Sequence, residues 1–270
     1  MKAFLHHLAY DFKTGVRDRS KLLMFYLFPL VFFALVGGLM ASVNPGFKQT
    51  MIPAMVLFAF MCAALLSLPS LLVNAREAGV FRSYRINGVP SASILVIPVI
   101  GTAVHMAVIT LLITLAGARI YGGVLPTAIP GFIAAAVLSY AAYAGIGVLI
   151  GVAAGNTTVS ILAGQLVYIP SIILGGLMVP TSILPPVLQR ISLLLPATHG
   201  MRVFTALGMG GVAQPVPVLS ICVLAVSALL SFALAALLFE WDSRASQPSR
   251  KAFAAILGIA PFVAAALIGV

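Results

Sequence analysis

Six apolar runs, at 22–43, 51–73, 94–116, 131–153, 159–179 and 216–239, fill most of this chain, and each is long enough to cross a bilayer. Only structures that satisfy their own backbone hydrogen bonds can span hydrocarbon, and the ten-residue alternation of membrane strands is missing, so these runs predict helices. With 62% hydrophobic residues in 270 and a mean hydropathy of +1.17, the chain has more apolar surface than a soluble core of its size could enclose. The expected fold class is an all-α integral membrane protein with a six-span core over 22–242.

Residues 1–21 place Phe4, Leu5, Leu8, Phe12 and Val16 along one stripe, with Lys2, His6, Lys13 and Arg17 opposite. This pattern predicts an interfacial helix lying on the membrane. The segment is too long and too charged for a signal-peptide leader, so the first span is expected to be retained. Beyond the core, 243–270 reads as a basic linker and a further apolar run of 18 residues that Pro261 interrupts. A seventh span there stays open.

Orientation follows from the positive-inside bias. A cytoplasmic N-terminus collects eleven of the fifteen Lys and Arg residues on the cytoplasmic side, leaving Lys48, Arg119, Arg190 and Arg202 outside. All five acids then fall on the cytoplasmic side too, and none lies within a span. The expected location is a cell membrane, crossed several times.

Two stretches between spans are informative. The segment 74–90 carries Arg76, Glu77, Arg82 and Arg85 in a chain that is only 7% charged, so it must lie outside the hydrocarbon. Glu77, Phe81 and Arg85 recur at helical spacing, which predicts one short amphipathic helix with all three on one side. Gly88 and Pro90 are expected to end it. The second stretch, 180–211, is largely apolar and divided by prolines at 180, 185, 186 and 196. Short helical pieces that enter the membrane without crossing, a re-entrant pair, fit that pattern.

The chemistry is informative mainly by what it lacks. No G-x-x-x-x-G-K-[ST] loop is present, so ATP is not expected to bind here through a P-loop. No Cys/His cluster has metal-ligand spacing, no nucleophile has a nearby base, and Cys62 and Cys222 read as free thiols inside apolar runs. His105 is the one intramembrane histidine and reads as hydrogen-bonded to a neighbouring helix rather than as a proton relay. With no carboxylate in any span, a carrier driven by protons or sodium lacks its usual ion site, and the energy is expected from outside the chain. Tyr140, Tyr143, Gln165 and Tyr168 either line a substrate path or satisfy one another. Gly147, Gly151 and Gly155, four residues apart, are expected to pack helices within the bundle.

Arg-Glu-Ala-Gly-Val-Phe-Arg at 76–82, closing on Gly-Val-Pro at 88–90, resembles the coupling segment of ABC-2 type transporter permeases. The stretches Gly175-Gly-Leu-Met-Val-Pro180, Ile183-Leu-Pro-Pro186 and Leu195-Pro-Ala-Thr198 are similar to that family's re-entrant region between spans five and six. The likeness covers residues 1–242 and departs at Ala75, where the family often has an acid, and at Arg202, where the family's acid and arginine after Pro-x-Thr are missing. It implies a permease with no catalytic site and no cofactor of its own, paired with a second permease copy and with separate P-loop ABC ATPase subunits that hold ATP and Mg. It further implies outward movement of an amphipathic or lipid-like substrate: a drug-like molecule, lipid or glycan. Arg76, Glu77, Gly79, Phe81, Arg82 and Arg85 are then the implied ATPase-coupling residues. The alternatives are a secondary carrier and a membrane anchor that moves nothing. The basic charge points to membrane lipid rather than nucleic acid as surface partner.

Overall fold

The computed structural model describes residues 13, 15, 17–44, 46–210, 217–241 and 255–268. Among them are helices and no strand, and six helical stretches are long and apolar enough to cross a membrane. Most of the interfacial helix expected over 1–21, and the linker at 242–254, lie outside the described residues.

Span one runs through Arg19–Leu22, a π-helical turn at Leu23–Leu27, and Phe28–Val43. Span two is one continuous helix over Phe47–Glu77 with a π-helical turn at Cys62–Ser67. Each π turn ends two residues before a proline, Pro29 or Pro69. A proline has no amide to give the carbonyl four residues back, so the preceding turn loses one bond and widens. The two widened turns pack against each other.

Spans three to six are Ser91–Tyr121, Ile129–Ala153, Thr157–Leu174 and Val218–Leu238. Span five ends at Leu174, earlier than its apolar run, because Gly176 turns into the left-handed region at φ +82°. The chain then forms a 3₁₀ turn at Thr181–Ile183 and two short helices, Pro186–Ser192 and Pro196–Gly208. This is the expected helical pair. The second helix is deeply inserted, with Pro196 to Met201, Val203 and Phe204 buried.

Spans two and four form the centre. From Met51 to Leu65 every residue of span two is buried, and span four packs on two, six and Pro196–Gly208. Glycines set this closeness: a Cβ on Gly147 would overlap the Ala64 carbonyl oxygen, and one on Gly164 the Leu65 oxygen. Gly147 and Gly151 thus pack within the bundle as expected, whereas Gly155 meets nothing within 4 Å. The outward surface is apolar as well, with Leu35 67%, Leu111 58%, Leu166 77% and Leu229 73% exposed. Water would not tolerate such a surface, and a bilayer covers it.

Beyond span six, Ala260–Ile268 is a helix of nine residues lying against that span. At about 1.5 Å per residue it covers less than half of the ~30 Å hydrocarbon. Its Phe262 ring sits 5.7 Å from that of His199.

Candidate functional site

The segment 74–90 is built from two helices rather than one. Span two continues past its apolar run to Glu77, and Gly79 then takes φ +75°, a conformation that favours glycine. A new helix, Val80–Ile86, follows, and Gly88 and Pro90 lead into span three. The single stripe of Glu77, Phe81 and Arg85 is therefore not formed, because the break at Gly79 puts Glu77 on the preceding helix. Glu77 and Arg85 are exposed, while Phe81 is only 4% exposed, with its ring 5.6 Å from Phe239 beyond span six.

Arg76 also turns inward and is 7% exposed. Its guanidinium donates to the carbonyl oxygens of Val152, at 3.2 Å, and Ala154. The last carbonyls of a helix have no partner in their own helix and carry the negative end of its dipole, so the arginine caps span four from a neighbouring helix. Next to it, the Thr157 hydroxyl reaches Asn74 Oδ1 at 2.7 Å and Glu77 Oε2 at 3.2 Å. The end of span two is thus tied to both ends of the turn joining spans four and five.

The six expected coupling residues therefore divide. Arg76 and Phe81 face the bundle; Glu77, Gly79, Arg82 and Arg85 face out. A Cβ on Gly79 would meet nothing within 4 Å, so its φ, not crowding inside this chain, explains the glycine. Thr157 and Phe239 take part without having been singled out from sequence. Asn156 is visible as the cap of span five, accepting from Val159 N at 2.9 Å, but nothing local says what its neighbour Thr157 faces.

The four polar candidates of spans four and five do not share one wall, nor do they satisfy one another. Tyr140 donates to the Val99 carbonyl at 2.9 Å, across to span three. Tyr143 is fully buried, and its hydroxyl has no partner among the described residues. Tyr168 pairs its hydroxyl with Cys62 Sγ at 3.5 Å, and Gln165 is exposed on the outside of span five. Apolar packing against span two set these directions, not polar attraction. Of the four, only Tyr140 lines the groove of about 560 Å³ between spans three and four. A second apolar groove, of about 370 Å³, lies between spans four and five and the stretch from Ala255.

Both described histidines are buried and bonded. His105 Nδ1 lies 2.8 Å from the Tyr26 hydroxyl of span one, which is the hydrogen-bonded arrangement suggested by the sequence. His199, on the inserted helix, has Nε2 2.9 Å from the Leu193 carbonyl and Nδ1 3.0 Å from Ser220 Oγ. A carbonyl only accepts, so Nε2 carries the proton and Nδ1 accepts from the serine. Burial pushes this imidazole down to about 4, so it is neutral at physiological pH.

Among the described residues no group of three or more His, Cys, Asp or Glu could hold a metal ion. A family model described as ABC-2 type transporter matches residues 3–208. No curated protein matches the chain.

Proposed function

Since the chain belongs to the ABC-2 type transporter family and is a membrane permease component of an ABC transporter, we propose that it serves an exporter powered by a separate P-loop ATPase. The N-terminus and the segment 74–90 then face the cytoplasm of a cell-membrane protein, and the permease works with a second copy, identical or different. ATP and Mg reside on the ATPase, and no cofactor sits in this chain.

One observation carries the reading: at the edge of the bundle, one short segment has an outward polar side and an inward side locked to other spans. Glu77, Gly79, Arg82 and Arg85 offer the ATPase a charged surface with open space above Gly79. Arg76 and Phe81 engage the ends of spans four and six. A push on the outer side therefore moves three spans together. The apolar grooves beside span four suit an amphipathic or lipid-like cargo entering from the membrane.

Coexpression with a cognate P-loop ABC ATPase tests this. Glu77→Arg is expected to abolish complex formation and ATPase stimulation; if both stay at wild-type level, the reading is wrong.

A further inference from the structure

Gln165 carries a polar amide on a surface that otherwise suits hydrocarbon. It is exposed midway along the helix Thr157–Leu174, about 12 Å from where that helix begins. Lipid covers a leucine without cost, but it offers nothing to an amide with two donor hydrogens and an acceptor oxygen, set too deep for so short a side chain to reach water. Leu162, Ile169 and Ile173 are exposed as well, and with Gln165 they recur three or four residues apart on one side of the helix. Span five is also among the least enclosed: 22% of its residues are buried, as in span one, against 33% or more in spans two, three, four and six.

We propose that this face is where a second, identical copy of the chain docks, with Gln165 of one copy hydrogen-bonded to Gln165 of the other. Copies of one chain insert the same way up, so a two-fold axis along the membrane normal brings the two residues to the same depth. An amide both donates and accepts, so it is complementary to itself. A different chain would need a polar group of its own at that depth, whereas an identical one supplies it by symmetry. The inference rests on the second permease copy proposed above and specifies that copy as identical.

Leu162, Ile169 and Ile173 supply packing, for which lipid competes on equal terms. The amide supplies what they lack: a single polar residue in an apolar seam fixes the register, because sliding by one turn strands both amides in hydrocarbon. The other side of span five is separate, since Val159, Ala163 and Leu166 line the groove shared with span four, and Gln165 lines neither apolar groove. Docking through Gln165 therefore uses neither that groove nor the surface at 77–85 offered to the ATPase.

Oxidative cross-linking of the full chain in membranes tests this. Cys62 is buried and Cys222 exposed, so the background is Cys222→Ser. Gln165→Cys is expected to give a disulfide-linked dimer, and Leu229→Cys, 73% exposed midway along span six, is expected to give none. Gln165→Leu should raise the dissociation constant of the dimer about threefold, the mean worth of one hydrogen bond between membrane helices, read by energy transfer between labelled chains diluted in vesicles. Gln165→Asn should restore part of it. Equal cross-linking at both positions, or an unchanged constant in Gln165→Leu, would overturn the proposal. A wild-type dimer in native mass spectrometry with no cross-link at position 165 would overturn it and leave the second copy standing, whereas a wild-type monomer in vesicles and detergent alike would overturn both. No ATPase is present, so the coupling reading is not at stake.

Discussion

The Arg76 guanidinium donates to the Val152 carbonyl at 3.2 Å, joining the last turn of span two to the last turn of span four. Arg76 is thus a brace between spans, although Glu77 next to it faces outward. Removing it leaves buried carbonyls without donors at a helix end, and the cost depends on how completely a replacement restores both bonds.

Arg76→Met is therefore expected to destabilise the protein by about 2–3 kcal/mol, and Arg76→Lys to recover only part, since one ammonium does not reproduce the two-pronged contact. Thermal midpoints in detergent measure this. If Arg76 transmits motion, the Met variant should still bind the ATPase and fail to stimulate it, which separates it from Glu77→Arg.

Gly147 and Gly155 make opposite predictions. A methyl at Gly147 would overlap the Ala64 carbonyl oxygen, so Gly147→Ala should cost about 1–3 kcal/mol through forced separation of spans two and four. Gly155 faces open space, and Gly155→Ala should stay within about 0.5 kcal/mol of wild type.

The tyrosines of span four can be separated in the same way. Tyr140→Phe removes the donor to the Val99 carbonyl and is expected to cost about 1 kcal/mol. Tyr143→Phe removes a buried hydroxyl with no partner among the described residues and should be neutral or stabilising. Denaturation midpoints of the two variants side by side decide it.

His199 sets a pH dependence. Its value is about 4 when folded and 6.5 ordinarily, so between these the unfolded chain binds the proton more readily. Stability is then complete above about 6.5 and is lost as pH falls toward about 4, by up to ~3 kcal/mol from this group. His199→Gln should flatten that slope in melting curves recorded across the window; an unchanged slope would assign it to other groups.

Much of the architecture was legible in sequence because hydropathy accumulates over some twenty residues and survives local irregularity. The span positions and the helical pair after span five follow from it. The helix limits do not: span two passes Val73 to reach Glu77 because polarity marks the edge of the membrane, whereas Gly79 marks the end of the helix. Within the candidate site, the exposed Glu77 and Arg85 agree with a polar surface. Phe81 and Arg76 turned inward for reasons that lie far away in sequence, at Phe239 and Val152.

The sequence by itself determined the membrane class, the six spans of the core and the placement of charge at their ends, since each depends only on composition along a local stretch. The tertiary structure decided which way the side chains face. In a soluble helix, alternation of polar and apolar residues reveals the buried face. Here lipid and core are equally apolar, so no such periodicity tells Tyr143, sealed between helices, from Leu166, facing outward, and only the packing of span against span separates them.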